Sequence, residues 1–224
     1  MNTTSNKLVI TSDGSSTLYN QKSGEHYHST FGAIQESRHI FIEAGLSVFI
    51  NQPHIALFEV GFGTGLNALL TMKLGQEQGV DVHYTAVELY PITQEEAQQL
   101  NYSSVLEMDS TLLSRMHESP QMQVSLSEHF YLEKIHEPFQ ELLFEPELFD
   151  LVYFDAFSPD SQPEMWDEEG FQKLFKALKT GGLLVTYSCK GVVKRALKSA
   201  GFRIEKLPGP PGKREFLRAW KDEL

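Results

Sequence analysis

The sequence has 224 residues and a single cysteine, Cys189, so no disulfide forms within it and no zinc site built on several thiolates is available. It has no apolar run approaching the length of about 20 residues that a membrane-spanning helix needs. Its first 20 residues are polar and rich in Ser and Thr, without the basic-then-apolar order of a secretory signal. The last four, Lys221-Asp222-Glu223-Leu224, spell an endoplasmic-reticulum retention tag. Such a tag acts only on a chain already in the secretory pathway, so the match is read as chance. The eight histidines include no His-x-x-x-His or similar pair. The expectation is a cytoplasmic protein in a reducing compartment, with no membrane and no metal.

Basic residues are scarce over most of the chain. Residues 1–170 hold 6 Lys/Arg against 26 Asp/Glu, whereas residues 171–224 hold 13 against 4. The net charge of −11 argues against a polyanionic partner, but the terminal segment, at +9, keeps one possible on one face. With 41% apolar and 11% aromatic residues the chain can bury a full core and is not disordered.

There is no repeat and no low-complexity linker. Residues 1–53 read as an N-terminal extension and residues 54–224 as one domain of alternating strands and helices. Strands are predicted at 55–60, 82–88, 149–154 and 183–188, and helices at 66–78, from Pro91 on with Thr93 and Glu96 as a capping box, at 166–178 and at 192–199. Segments 202–207 and 215–220 flank the turn Pro208-Gly209-Pro210-Pro211-Gly212 and read as a closing hairpin. Residues 123–126 read either as an edge strand or as part of a loop. The alternation predicts an α/β fold: a doubly wound, mostly parallel sheet with an antiparallel strand from the hairpin, and ligands at the carboxyl ends of the strands.

The strongest local signal is Phe58-Glu59-Val60-Gly61-Phe62-Gly63-Thr64-Gly65-Leu66-Asn67, between a strand and a helix. Glycines at 61, 63 and 65 permit a tight turn and close approach of a ligand. The spacing is one residue shorter than a dinucleotide fingerprint. Glu88 ends the next strand, where one carboxylate matches two cis hydroxyls of a ribose. The pattern resembles motif I of class I S-adenosylmethionine-dependent methyltransferases, which implies S-adenosyl-L-methionine as cofactor, with Glu59, Gly61, Gly63, Gly65, Asn67 and Glu88 about it. Glu137 reads equally as a group near the adenine and as a solvated helix-face carboxylate.

A second signal, Leu151-Val152-Tyr153-Phe154-Asp155-Ala156-Phe157-Ser158-Pro159, puts a carboxylate at the end of a strand on the ligand side of the sheet. Methyl transfer to an amine needs alignment and loss of a proton, and Asp155 is placed to accept a hydrogen bond from the nitrogen. Phe157 reads either as a flank for the amine and cation or as a core aromatic.

These segments, with Pro163-Glu164-Met165-Trp166, Thr186-Tyr187-Ser188, Val192 to Leu197, Ala200-Gly201-Phe202 and Gly212-Lys213-Arg214-Glu215, resemble the methyltransferase domain of the MnmC family of bifunctional tRNA-modifying proteins. Tyr27-His28 and Gln35 to Phe41 are similar to its opening segment. The likeness covers nearly the whole chain. It implies methylation of the 5-aminomethyl group on the wobble uridine in the tRNA anticodon, with Asp155 aligned to the catalytic aspartate, Phe157 to its neighbouring aromatic and Asp155 also beside the cofactor. Ala156 stands where that family often has Gly. The flavin-dependent oxidase fused in the full-length family has no room in this chain, so no flavin is expected. Lys194, Arg195, Lys213 and Arg214 are candidates for phosphate contacts to tRNA, with a solvated surface as the plain alternative. Trp166 reads equally as a residue stacking on RNA and as the apolar start of a helix. The competing functions are a small-molecule amine methyltransferase, an aminopropyltransferase and a non-catalytic cofactor-binding module docked through the acidic half.

Overall fold

The computed structural model describes residues 6–222, so the last two residues of the C-terminal tetrapeptide lie outside the described residues. In chain order the strands are β1 (Lys7–Ile10), β2 (Ser16–Asn20), β3 (Glu25–His26), β4 (His54–Val60), β5 (Asp81–Val87), β6 (Val124–Ser127), β7 (Phe130–Ile135), β8 (Phe149–Phe154), β9 (Leu178–Thr186), β10 (Arg203–Pro208) and β11 (Glu215–Trp220). The helices are α1 (Ala33–Ser37), α2 (Leu66–Gln78), α3 (Gln94–Gln99), α4 (Tyr102–Val105), α5 (Leu112–Glu118), α6 (Glu168–Ala177) and α7 (Gly191–Ser199).

Eight strands form one sheet in the order β10-β11-β9-β8-β4-β5-β7-β6. The five from β7 to β9 run parallel, while β11 and β6 run against their neighbours. The closing hairpin therefore contributes one antiparallel strand, β11, that inserts between β9 and β10. Residues 124–127 resolve as an edge strand paired with β7. The fold is the doubly wound, mostly parallel sheet expected of class I methyltransferases.

Side-chain alternation along the central strands supplies both layers of the core. Leu57, Leu151 and Tyr153 point to the face covered by α2 and the N-terminal segment. Phe58, Val152 and Phe154 point to the face covered by α6 and α7. Leu18, Ile34, Ile40 and Phe41 belong to the first cluster, so residues before 54 help to build the same core. They arrive through a separate three-stranded meander, β1-β2-β3, followed by α1 and a wide helical turn over Arg38–Glu43. The meander is fastened to the α3–α4 region: Asn6 N–H donates to Glu96 Oε1 (2.8 Å) and Ser16 N–H to Asn101 Oδ1 (2.8 Å).

The local rules explain most boundaries. Both halves of the Thr93–Glu96 capping box form. Two boundaries differ from the sequence expectation. Helix α6 begins at Glu168, not Trp166, because Asp167 caps it by accepting Gly170 N–H (2.8 Å) while Pro163–Met165 makes a separate short turn. Strand β9 begins at Leu178 and runs through Gly181-Gly182 to Thr186, where the sequence suggested a helix stop followed by a strand at 183–188. The register shift against β8 falls there, and Lys179 pairs with Asp150 Oδ2 at 2.8 Å across it.

The switch in strand order falls between β4 and β8, where a crevice opens at the carboxyl ends. Asp155 N–H bonds Val60 O (2.9 Å) and Gly61 N–H bonds Val87 O (3.0 Å), which draws the three strand ends together. Gly61 has φ +91°, and a Cβ there would stand 2.7 Å from Asp155 O. We expect Gly61→Ala to cost about 2 kcal/mol or more of stability, from φ strain and collision with backbone, read as a lower urea midpoint with an unchanged m-value.

Candidate active site

The crevice holds a cavity of about 1160 Å³. Its walls bring together Gly61 and Gly63 after β4, Glu88 after β5, Glu137 after β7 and Asp155 with Phe157 after β8. Lys213, from the β10–β11 turn, reaches it from the far side of the sheet.

Under this cavity lies a buried polar bridge. Asn67, in the first turn of α2, donates one amide hydrogen to Glu59 Oε1 (2.9 Å) and the other to Asp155 Oδ2 (2.8 Å). Glu59 is fully buried in β4, and burial, reinforced by the Asp155 carboxylate, holds its carboxyl well above the usual range. Asp155 is also held well above its usual range, by burial first and by the Glu36 carboxylate second, with the Asn67 hydrogen bond and the Lys213 ammonium opposing. Glu59 and Asn67 do not reach the cavity wall; they sit beneath it and orient Asp155. Gly65 also turns away from the cavity, towards Phe62 and His117.

Glu88 accepts two backbone hydrogens, from Gly63 N–H (2.9 Å) and Tyr90 N–H (2.9 Å), so its carboxylate is fixed at the cavity edge. Burial raises its pKa against those two bonds. Glu137 is exposed at the rim, in the loop that follows β7 and not on a helix face.

Phe157 meets Tyr27 edge-on at 5.0 Å between centroids, and Tyr27 also packs on Gly63. His28 Nε2 lies 2.7 Å from Thr64 Oγ1, which also accepts from the Tyr102 hydroxyl (3.2 Å). Burial lowers the His28 pKa to about 4, so it is neutral at pH 7. His117 Nε2 donates to Thr64 O (3.1 Å) beneath the same loop. Glu25 accepts from Ser158 N–H (3.0 Å), from the Ser158 hydroxyl and from the Ser161 hydroxyl (2.6 Å). The N-terminal segment thus covers the glycine loop and is fastened to the loop after Asp155. The sequence carried Tyr27-His28 only as part of a resemblance; no spacing rule links residues 25–36 to residue 155.

Four candidates are placed elsewhere. Trp166 is 1% exposed, packed on Phe154 and Tyr187, with its indole N–H donated to Phe157 O (2.8 Å). It is a core residue that shapes the loop carrying Phe157, and stacking on RNA is corrected to that role. Lys194 and Arg195 lie on the outer surface of α7 and Arg214 on the exposed side of its turn; none lines the cavity. Of the four candidate cations, Lys213 alone lines the cavity, with Nζ 3.0 Å from Glu36 Oε1.

The residues fit S-adenosylmethionine. Gly61 and Gly63 form a side-chain-free cradle, and a Cβ at Gly63 would come within 3.1 Å of Tyr27. Glu88 offers a fixed carboxylate for the ribose hydroxyls, and the cavity is lined by carboxylates suited to a cationic ligand.

Fold and site together define an α/β cofactor-dependent transferase. Residues 111–222 match the family described as S-adenosyl-L-methionine-dependent methyltransferase, and the chain belongs to that family. It is 30% identical to the tRNA 5-methylaminomethyl-2-thiouridine biosynthesis bifunctional protein MnmC of Aromatoleum aromaticum, over 95% of this chain and 35% of that protein. The chain spans about a third of the length of the curated relatives it matches. The crystal structure of MnmC2 from Aquifex aeolicus superposes with a TM-score of 0.80 at 26% identity, over all of this chain and 72% of the other. Spermidine synthase from Thermotoga maritima shares the fold alone, at TM-score 0.55 and 15% identity, over 96% of this chain and 72% of that one.

Because the folded-state pKa of Asp155 is raised above its unfolded value of about 3.9, its ionisation opposes folding as pH rises from about 4 through the folded pKa. Asp155→Asn keeps the shape and removes that charge. We expect its melting temperature to exceed that of the unaltered protein by a margin that widens with pH across this range, while methyl transfer falls at least 100-fold. Calorimetry over a pH series and labelled-methyl assays check both.

Proposed function

We propose that the protein methylates the 5-aminomethyl group of the wobble uridine in tRNA, as a cytoplasmic enzyme. The observation that carries this reading is Asp155: a carboxylate at the end of β8, fixed by Asn67 and opening onto the cavity beside the Tyr27–Phe157 aromatic pair. The name of the MnmC relatives and the superposition on MnmC2 support the choice of tRNA over a free amine.

When bound, S-adenosylmethionine supplies an electrophilic methyl on a sulfonium sulfur. The chain's own residues prepare the nitrogen. An alkylamine enters largely as ammonium near neutral pH and must shed a proton to expose its lone pair. The Asp155 carboxylate takes that proton, and the Asn67 bond on Oδ2 fixes which way the carboxylate faces. Phe157 and Tyr27 supply aromatic surface for the uracil ring and for the positive charge. Glu25, by holding Ser158 and Ser161, keeps the loop that carries Phe157 in place.

Many cations of the terminal segment are already paired: Lys190 with Asp160, Lys206 with Glu215 (3.1 Å), Arg203 with Asp222 (2.5 Å) and Arg218 with Glu205 (2.7 Å). Lys194, Arg195 and Arg214 make no ion pair among the described residues, and they are the remaining candidates for phosphate contacts. With two to four such contacts, tRNA affinity is expected to fall between about tenfold and a hundredfold from 50 to 200 mM salt. Filter binding over a salt series checks this; affinity insensitive to salt contradicts it. The substrate is tested with labelled cofactor and bulk tRNA from cells lacking the enzyme. Label is expected in the wobble nucleoside, and its absence there ends the tRNA reading.

A further inference from the structure

Glu36 has no part in the cofactor loop or in the bridge beneath Asp155, yet it lines the same cavity and is only 7% exposed. It sits in α1, immediately before the wide turn. Its Oε2 accepts Ser29 N–H (2.9 Å), which fixes the carboxylate. Its other oxygen, Oε1, has no hydrogen bond of normal geometry; Lys213 Nζ stands 3.0 Å away. The same Nζ lies 4.3 Å from the centroid of the Tyr187 ring. The Tyr187 hydroxyl donates to Ala156 O (3.0 Å), which fastens that ring to the residue next to Asp155.

A fixed carboxylate on one side and an aromatic face on the other make a seat for a cation, and the ammonium of Lys213 occupies it. Lys213 reaches the seat from an exposed Pro/Gly turn, and its side chain is 28% exposed, so it can leave without breaking the fold. The occupant is a primary alkylammonium, the same head group as a protonated aminomethyl substituent. The seat lies where Asp155 feels both the Glu36 and the Lys213 charges.

We infer that Glu36 and Tyr187 form the binding seat for the acceptor's ammonium group, and that Lys213 holds the seat until the acceptor displaces it. The inference rests on the amine-methylating reading above and names the residues that recognise the amine. It makes Glu36 a substrate-binding residue distinct from Asp155: Glu36 receives the charged amine, and the Asp155 carboxylate takes the proton that the ammonium gives up. Lys213, released, returns to the turn beside the exposed Arg214.

The test is steady-state methylation of tRNA carrying 5-aminomethyluridine by the full chain, with cofactor affinity measured by calorimetry. Glu36→Gln is expected to raise KM for the tRNA at least tenfold, with kcat changed less than threefold, cofactor Kd within twofold and melting temperature within 3 °C. Lys213→Met vacates the seat. At 300 mM salt, where phosphate attraction is screened, it is expected to lower KM at least threefold, an effect that a structural tether alone does not produce. An unchanged KM in Glu36→Gln overturns the inference, as does a loss of cofactor affinity in place of a KM effect. A KM raised at high salt by Lys213→Met overturns it too. If the unaltered protein labels no such tRNA, the function proposed above fails and this inference with it. If it labels the tRNA and Glu36→Gln behaves like it, only the seat fails.

Discussion

The site depends on one amide. Asn67 spends both of its side-chain hydrogens on carboxylates, one from β4 and one from the end of β8, in a region that water does not reach freely. Two ionised carboxylates so placed would repel each other at low dielectric, and a bare buried charge is costly. Burial holds both carboxyls, Glu59 and Asp155, well above the usual range, which eases this repulsion. A carboxyl oxygen accepts from Asn67 whether or not its group is ionised, so the bridge holds in either state. The direction in which Asp155 faces is therefore set beneath the cavity, by the Asn67 amide, a group that no ligand need touch.

A protein that is acidic overall is an unexpected partner for a polyanion. Its charge distribution divides the work. The cavity lining has more carboxylates than cations and suits cationic reactants, whereas Lys194, Arg195 and Arg214 lie outside it on α7 and the β10–β11 turn. On the proposed function, such an interior disfavours phosphates and favours an unstacked base that carries the amine.

The strand–glycine loop–helix unit was legible because each of its parts is local. The glycines at 61, 63 and 65 take positive φ, α2 spans Leu66–Gln78 as its apolar run indicates, and Glu88 stands at the end of β5. Asp155 was legible as a carboxylate at a strand end, the resemblance added the family roles of Asp155 and Phe157, and the fold carries both to the same cavity. What the sequence could not show depends on long-range juxtaposition. Glu25, Tyr27, His28 and Glu36 converge on residues 63, 64, 158 and 213 through tertiary packing alone. Trp166 was open to two readings because an aromatic beside a helix start has the same local pattern whether it faces water or core; the indole bond to Phe157 O decides it. The terminal charge excess was visible, but its internal pairing was not, since partners such as Arg203 and Asp222 are brought together only by the hairpin.

The order of the outer strands has a consequence for how the molecule is made. Strand β10 joins the sheet only through β11, and β11 is synthesised after it. As a ribosome delivers the chain from its N-terminus, the parallel strands can assemble while residues 203–208 still have nothing to pair with. The Lys213 turn lies between those two strands, so the far wall of the cavity closes in the same event that completes the sheet. A nascent chain stopped short of residue 215 would already have the cofactor loop and Asp155 but would carry an unpaired, aggregation-prone edge at β9. The segment that carries Lys213 to the pocket and the strand that covers that edge are thus continuous in the chain.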